Sequence, residues 1–278
     1  DKQMKKGWKI SITALAFIIG LPLLFAGSVY AGLFGRLPGK KQLSLYRNAT
    51  ASLVLSSEGE MIGKYYSENR TTITRDQIPD HLINALIATE DARFYEHRGI
   101  DARSLVRVFF KTIIFNDHSA GGGSTITQQL AKNMYGRKDY LILPVFINKT
   151  REALLAGRIE KVFSKEEILI LYLNTVSFGE NLYGIEAASQ RYFSSTTDAL
   201  TMEEAALLVG MLKANTSFNP RLYPDNAVRR RNVVLKQMEK YGYIGSMKAD
   251  SLCALPLKLN YNKTDITGPA DYFLVRVR

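Results

Sequence analysis

The stretch ALIATEDARFYEHRGID, residues 85–101, places two adjacent carboxylates at the end of an apolar helical pattern. If the stretch is helical, Ile83, Ile87, Glu90 and Phe94 follow one another at helical spacing, so Glu90 shares the apolar stripe. Asp91 then points about a quarter-turn away from that stripe. A carboxylate among apolar neighbours loses hydration, which is a common way of preparing a general acid or base. Glu90 is therefore the first candidate for acid–base chemistry.

The competing interpretation is structural, because a glutamate at a helix end often only pairs with a nearby cation such as Arg93 or Arg98. Metal chemistry has weaker support. The chain has three histidines, none of them in an HExxH pattern, which argues against a zinc site. Other motifs must decide what Glu90 does.

The second motif, GGGSTITQQLAKN at residues 121–133, is a glycine-rich turn that leads into a helix. It lacks the Gly-Lys-Ser/Thr of a nucleotide P-loop. Gln128 and Lys132 lie four residues apart on one helix face, with Gln129 and Asn133 beside them. Free N–H groups at the helix start, together with amides and an ammonium, predict a site for phosphate oxygens. The alternative is a flexible loop followed by a solvated helix.

The third motif lies in NKTREALLAGRIEKVFSKEEILILYLN, residues 148–174, which predicts two helices joined near Phe163 and Ser164. Lys149 and Glu152 lie three residues apart on one face, while residues such as Leu155 face the core. A surface ion pair between Lys149 and Glu152 is the simpler interpretation.

The composition narrows the location and the partners. A net charge of +11 fits nucleic acid, a membrane surface or an anionic substrate, and the lone Cys253 excludes an internal disulfide. Residues 10–35 carry no charge, follow four lysines and predict a transmembrane helix, with residues 1–9 in the cytoplasm. The alternative is a cleaved signal peptide. Everything after the anchor is expected outside the cytoplasmic membrane, on the periplasmic side, which argues against nucleic acid as a partner.

The rest of the chain divides into a short β part and a long helical part. Residues 36–70 predict a linker and a short β-hairpin, and residues 71–262 predict a mainly α domain. Capping boxes at Thr125, Ser164 and Thr201 predict helix starts. The apolar stretch VRVFFKTIIF, residues 106–115, fits either a core helix or a segment that enters the outer leaflet of a membrane.

Taken together, these motifs resemble the peptidoglycan glycosyltransferases of glycosyltransferase family 51, the transglycosylase module of class A penicillin-binding proteins. EDARFYEHRG matches the first family motif, EDxxFxxHxG, and GGSTITQQLAKN matches the second, GGSTITQQxxKN, at every fixed position. KTRE matches the end of the third motif, RKxxE. LYLNTVSFGENLYGIEAASQRYF and EEAALLVGMLKANTSFNP resemble the fourth and fifth. The likeness spans residues 51–238 in the family's order.

The resemblance implies a lysozyme-like helical globule with a membrane-embedded jaw between the first two motifs. It implies lipid II as substrate, a growing β-1,4 glycan strand made with inversion, and release of undecaprenyl pyrophosphate. It implies no required cofactor, and a divalent cation (Mg²⁺ or Mn²⁺) near Glu152 stays an open alternative. The implied partners are membrane lipids and proteins of cell-wall synthesis or division complexes.

The resemblance also assigns roles residue by residue. Glu90 resembles the general base, and Glu152 resembles the second essential carboxylate, near the donor pyrophosphate. Gln128 and Lys132 resemble residues that hold the donor near its phosphates. The full set that it assigns to substrate binding is Asp91, Phe94, His97, Gly122, Ser124, Thr125, Gln128, Gln129, Lys132, Asn133, Lys149 and Asn174.

The chain departs from the family pattern at several positions. Asn148 stands where the third motif usually has arginine, and the segment between the second and third motifs is longer than usual. Pro144 falls near the place of another common arginine, so Arg137 or Lys138 is expected to supply the missing charge. Ser194 replaces a glycine that is common after the fourth motif. These changes affect the expected phosphate contacts rather than the reaction class.

Two other functions compete with polymerisation: a lysozyme-like glycan hydrolase and a non-catalytic membrane-anchored scaffold. The phosphate motif argues against the first, and the presence of both Glu90 and Glu152 argues against the second. Residues 263–278 resemble the start of a linker to a transpeptidase domain, whose Ser-x-x-Lys and Lys-Thr-Gly motifs do not occur here. The sequence thus predicts a fragment of a bifunctional protein.

Overall fold

A computed structural model describes residues 20–44, 46, 52–55, 61–65, 69–70, 72–109 and 123–262 of the chain. For residues 52–55, 61–65, 69–70, 108 and 109 it describes the backbone only. Most of the described part is helical, which confirms the predicted mainly α class. The helices are α1 (residues 20–30), α2 (Lys40–Ser44), α3 (Asp80–Glu90), α4 (Ala102–Phe109), α5 (Ile126–Tyr135), α6 (Pro144–Ile159), α7 (Lys165–Thr175), α8 (Ile185–Phe193), α9 (Met202–Met211), α10 (Pro224–Lys240) and α11 (Ser246–Ala254).

The predicted capping boxes are confirmed at the starts of three helices. Thr125 precedes α5, Ser164 precedes α7 and Thr201 precedes α9, and in each box the side chain at the third helical position returns to the cap. These reciprocal bonds satisfy N–H groups that the first helical turn leaves without partners. The helix starts are therefore set by local sequence.

The strands form two small pairs. β1 (Ser52–Leu55) and β2 (Met61–Tyr65) pair antiparallel, with Ser52 opposite Tyr65. β3 (Asn69–Arg70) pairs parallel with β4 (Leu182–Tyr183), which lies between α7 and α8. The second pair joins the segment before α3 to the middle of the domain.

The helices pack into one core with two neighbouring layers. α3, α9 and α10 pack against one another, and α11 packs on α10, whereas α5 packs against both α6 and α7. Leu86, Leu130, Leu173, Leu208 and Leu235 are fully buried, which shows that the layers share apolar contacts. Burial of such side chains contributes about 2 kcal/mol each. This core holds the C-terminal end of α3 against the start of α5.

The predicted membrane segments lie only partly in the described structure. Residues 20–30 form α1, residues 1–19 lie outside the described part, and no helix among the described residues is both long and apolar enough to cross a bilayer. Of VRVFFKTIIF, residues 106–109 belong to α4 and the remainder lies outside the described part. Leu105 and Val106 on α4 are exposed rather than packed in the core.

Candidate active site

A cleft of about 820 Å³ runs between the two helix layers. The C-terminal end of α3, the start of α4, the first turns of α5, the middle of α6 and the outer face of α10 line it. Among its described lining residues, lysines and arginines outnumber aspartates and glutamates by nine to four. Such an excess of positive charge in a concave site attracts an anionic ligand.

Glu90, the last residue of α3, lines this cleft and is partly exposed to it. Its carboxylate accepts a hydrogen bond of 2.8 Å from the Gln129 side-chain amide, and the Tyr172 hydroxyl donates to the other end of that amide at 2.9 Å. Tyr172 is fully buried, and burial raises the pKa of its phenol well above the usual value, with the charge of Glu90 acting in the same direction. The phenol therefore stays a donor and orients Gln129 toward Glu90.

Asp91 is the more buried member of the carboxylate pair, which corrects the predicted helical stripe. α3 ends at Glu90, and Asp91 has φ −159° and ψ 72°, so helical spacing does not extend to Phe94. The Asp91 carboxylate accepts hydrogen bonds from the backbone N–H of Ile126, at 3.1 Å, and from His97, at 2.9 Å. A charge that is only about 7% exposed requires such partners. Asp91 therefore fixes the first motif to the start of α5.

Gly99 closes the first motif through a conformation that only glycine adopts easily. Its φ is +91°, and a Cβ at this position would lie 2.8 Å from the backbone carbon of Ala156 in α6. Its carbonyl accepts a hydrogen bond of 2.7 Å from the Thr125 hydroxyl. Glycine adopts this left-handed backbone without strain, and its lack of a Cβ leaves room for the backbone of Ala156. Both reasons explain why glycine ends this motif.

The two glutamines of α5 have different positions from those predicted. Gln128 is buried, and its side chain accepts from the backbone N–H of Thr125 as the third residue of the capping box. Gln129 and Lys132 line the cleft instead. The spacing predicted Gln128 beside Lys132, but the capping position turns Gln128 back toward the helix start.

Lys132 lies deep in the cleft between the two candidate catalytic carboxylates. Burial lowers the pKa of its ammonium group, while the charges of Glu152 and Glu90 act in the opposite direction. Its neighbour Asn133 has a buried side-chain nitrogen that makes no hydrogen bond within the described structure. α5 thus presents a poorly hydrated cation to the cleft.

Glu152 on α6 is a buried carboxylate rather than half of a surface ion pair. Its side chain is 6% exposed, and its two oxygens contact Lys149 at 2.8 Å and Arg137 at 2.9 Å. Lys149 also donates to the Ser124 hydroxyl at 2.9 Å, which links α6 to the glycine-rich turn. Because the buried charge is matched by two cations that reach toward solvent, it holds both of them at the cleft wall.

Of Arg137 and Lys138, the two residues expected to replace the missing arginine, Arg137 brings its charge to the cleft. Asn148 accepts from the backbone N–H of Lys138 at 3.1 Å and donates to its carbonyl at 2.9 Å and to that of Pro144 at 2.9 Å. These bonds fix the loop between α5 and α6. The preceding Arg137 lines the cleft, whereas the side chain of Lys138 does not.

Several predicted substrate-binding residues do not line the cleft. Phe94 is fully buried in the core, and Lys165 lies 4.3 Å above its ring. Both polar atoms of the Asn174 side chain are bonded to the backbone of Ile73, at 2.9 Å each. His97 is engaged with Asp91, and Gly122 lies outside the described residues. Phe94, His97 and Asn174 therefore have structural roles in the fold around the cleft.

Sequence reasoning missed cationic residues that distant helices bring to the cleft. Arg230 on α10 lines it, and burial lowers the pKa of Arg230 while Glu90 opposes that shift. The run Arg229 to Arg231 was a visible signal, but only the helix phase shows that Arg229 is exposed and Arg231 is buried.

Asp101 and Arg93 form the wall of the cleft near α4. Asp101 pairs with Arg93 and accepts from the backbone N–H and hydroxyl of Ser104. Burial alone would raise the pKa of Asp101, but the hydrogen bonds from Arg93 and Ser104 bring it well below the usual value. The carboxylate caps the start of α4 and holds Arg93 at the cleft.

No group of three histidine, cysteine, aspartate or glutamate side chains within the described ranges is arranged to hold a metal ion. Each oxygen of Glu152 instead has a cationic neighbour, Arg137 on one and Lys149 on the other.

Comparisons with known proteins identify the family. A family model described as Transglycosylase matches residues 58–239. Penicillin-binding protein 1A of Escherichia coli (strain K12) is 40% identical over 260 residues, which cover 92% of this chain and 30% of that protein. Penicillin-binding protein 1A of Aquifex aeolicus (strain VF5) is 39% identical over 95% of this chain and 35% of that protein. Penicillin-binding protein 1F of Bacillus subtilis (strain 168) is 35% identical at the same coverages.

The chain spans about a third of the length of these relatives. The family model covers well over half of this chain, from the β1–β2 region to the end of α10, and includes all the residues that line the cleft up to Gln237. The chain therefore belongs to the transglycosylase family, as the peptidoglycan glycosyltransferase module found in class A penicillin-binding proteins.

Proposed function

We propose that this chain polymerises lipid II into β-1,4 glycan with inversion and releases undecaprenyl pyrophosphate. The observation that carries the proposal is the arrangement within one cleft. Glu90 and Glu152 line the same cleft, Lys149 and Arg137 contact Glu152, and Lys132 lies between the two glutamates. A base and a cationic wall on the same cleft are what sugar transfer from a diphosphate requires.

In this mechanism Glu90 takes the proton from the 4-hydroxyl of the acceptor sugar as that oxygen attacks the anomeric carbon of the donor. The new C–O bond forms as the bond to the pyrophosphate breaks, which inverts the anomeric centre. Gln129 binds one oxygen of Glu90, and the other, which accepts no hydrogen bond from the described residues, takes the proton of the hydroxyl. Lys132, poorly hydrated and close to both glutamates, stabilises negative charge on the departing pyrophosphate.

Glu152 acts through its neighbours in this proposal. It holds Lys149 and Arg137 at 2.8 and 2.9 Å, so that their remaining N–H groups face the donor phosphates. Arg230 adds a cation beside Glu90, on the acceptor side of the cleft.

The test is polymerisation of labelled lipid II in detergent or liposomes by the parent chain and by Glu90→Gln, Glu152→Gln and Glu166→Gln. Glu166 is an exposed surface glutamate paired with Arg75 and serves as the matched control. We expect polymer from the parent and the control. We expect none from Glu90→Gln, although lipid II binding is largely kept because the amide preserves shape and most hydrogen bonds.

Other outcomes identify the alternatives. Parental polymerisation by Glu90→Gln would refute the assigned base. Shortening of preformed glycan by the parent would favour a hydrolase, and binding without turnover would favour a non-catalytic scaffold.

We further propose a single-pass location in the cytoplasmic membrane, with residues 1–9 inside, residues 10–35 spanning the bilayer and the catalytic domain outside. The jaw at residues 106–115 would meet the lipid tail of the substrate, and residues 263–278 would lead toward a transpeptidase domain. The uncharged run and the exposed apolar side chains of α4 support this arrangement. Release of the chain from membranes by alkaline carbonate would contradict it.

A further inference from the structure

The end of the loop between α5 and α6 and the first turn of α6 expose an unbroken apolar run. Residues 141–146, LILPVF, are all exposed, and their five non-proline side chains are 55 to 101% accessible. Isolated apolar residues are normal on a protein surface, but a contiguous run of this kind marks a place of interaction. We call residues 141–146 the apolar tip.

The backbone of the apolar tip is held in a costly conformation. Leu143 has φ 51° and ψ 43°, the left-handed region that a bulky side chain rarely adopts, and it precedes Pro144 in the first turn of α6. Glycine or asparagine would adopt this conformation more easily. Leucine at this position keeps an apolar side chain pointing out of the fold at the expense of local strain.

The base of the tip is bound to the end of the predicted membrane segment. The Tyr140 hydroxyl donates to the Phe34 carbonyl at 2.6 Å, and the two rings meet edge to face with centroids 6.1 Å apart. Arg151 donates to the carbonyls of Phe34 and Gly35 at 2.8 and 2.6 Å. The tip therefore projects from the point where the uncharged segment, residues 10–35, ends.

We propose that the apolar tip inserts into the outer leaflet of a phospholipid bilayer, beside the anchor and separately from the jaw. The inference rests on the proposed membrane location and adds a second point at which the domain enters lipid.

Two observations favour lipid over a protein partner. First, the exposed apolar surface is continuous with the anchor, because Leu33 and Tyr30 next to Phe34 are themselves 75 and 63% exposed. Second, exposed Arg36 and Lys138 flank the base of the tip, with the Lys138 ammonium close to Gly35. At a membrane surface, anionic headgroups lie outside the acyl chains. Cations at the base of the tip would therefore meet the headgroups when the apolar side chains enter the acyl chains.

Insertion of the apolar tip would also set the position of the cleft relative to the bilayer. The loop that leads into the tip also carries Arg137, which contacts Glu152 at 2.9 Å. A tip in the leaflet would place this phosphate-binding wall at headgroup depth, where the pyrophosphate of a lipid-linked donor lies.

The test is depth-dependent quenching of tryptophan in the full 278-residue chain. In a Trp8→Phe background, one variant carries Ile142→Trp in the tip and a matched control carries Met247→Trp on α11, where the side chain is 85% exposed. Both are bound to phosphatidylglycerol and phosphatidylethanolamine vesicles with brominated acyl chains. We expect emission at position 142 to shift to the blue and to be quenched at least about twofold more than at position 247, because only buried apolar groups reach acyl-chain depth.

Equal quenching at the two positions would overturn the inference. Protection of position 142 from iodide without vesicles, rising with protein concentration, would also overturn it, because a second copy would then cover the tip. Failure of both variants to float with vesicles would contradict the proposed membrane location itself, and the tip would then have no bilayer to enter.

Discussion

Removing the hydroxyl of Tyr172 should weaken catalysis, although Tyr172 does not itself line the cleft. The Tyr172→Phe change removes the donor at 2.9 Å from Gln129, and the Gln129 amide donates to Glu90 at 2.8 Å. Without that donor, the amide loses the bond that fixes which end faces Glu90. The fully buried site offers water little access to replace it.

The expected magnitude follows from one lost buried hydrogen bond. Such a bond contributes about 1 kcal/mol, and the unpaired carbonyl of Gln129 adds a desolvation cost, so the free energy of unfolding should fall by about 1–2 kcal/mol. A misoriented Gln129 no longer positions the Glu90 carboxylate. If the same free energy is lost from transition-state stabilisation, a loss of about 1.4 kcal/mol lowers kcat about tenfold.

The assay pairs denaturant unfolding with lipid II polymerisation for Tyr172→Phe and Tyr192→Phe. Tyr192 is also fully buried, and its hydroxyl donates to the Phe178 carbonyl at 3.2 Å and accepts from Asn219 at 3.1 Å, away from the residues that line the cleft. We expect similar losses of stability for both variants and loss of kcat only for Tyr172→Phe. Parental kcat for Tyr172→Phe, or an equal fall in both variants, would refute the orienting role.

Three further changes test other parts of the site. Asn148→Ala should release the loop that carries Arg137 and raise KM for lipid II several-fold, measured in the polymerisation assay, because the guanidinium loses its fixed position. Gly99→Ala should lower the free energy of unfolding by about 3 kcal/mol, since φ is +91° and the new Cβ meets the Ala156 backbone at 2.8 Å. Lys132→Arg should move the alkaline limit of the pH–rate profile upward. Burial lowers the pKa of Lys132, so its charge is lost as pH rises through that lowered value, whereas arginine stays charged.

Each of these changes has its own control. Asn226→Ala removes an asparagine outside the cleft lining, whose side chain donates to the Ser217 carbonyl and accepts from Arg229, and it should leave KM unchanged. Gly157→Ala lies in the last turn of α6, where a Cβ meets nothing within 4 Å, so helix propensity should leave stability equal or slightly higher. If Lys132→Arg leaves the alkaline limit of the pH–rate profile unchanged, another group sets that limit. Lys149→Arg is the matched lysine-to-arginine control in the same cleft.

The motifs, three of the helix starts and the identity of the cleft glutamates could be predicted from the sequence. Thr125, Ser164 and Thr201 form their capping boxes with residues three positions away, so local spacing was sufficient. Lys149 and Glu152 contact each other across one helical turn for the same reason. These features depend on neighbours in the chain, and short-range geometry is the same in every helix.

The tertiary structure decided which residues face the cleft. Asp91 is buried because α3 ends one residue earlier, and Gln129 lines the cleft because Gln128 returns to its cap. Arg230 lines the same cleft as Glu90 from α10, more than a hundred residues away in the chain. Arg137 reaches Glu152 because Asn148 fixes the intervening loop. Helix ends and long-range packing set these positions, and both depend on contacts that a linear pattern does not contain.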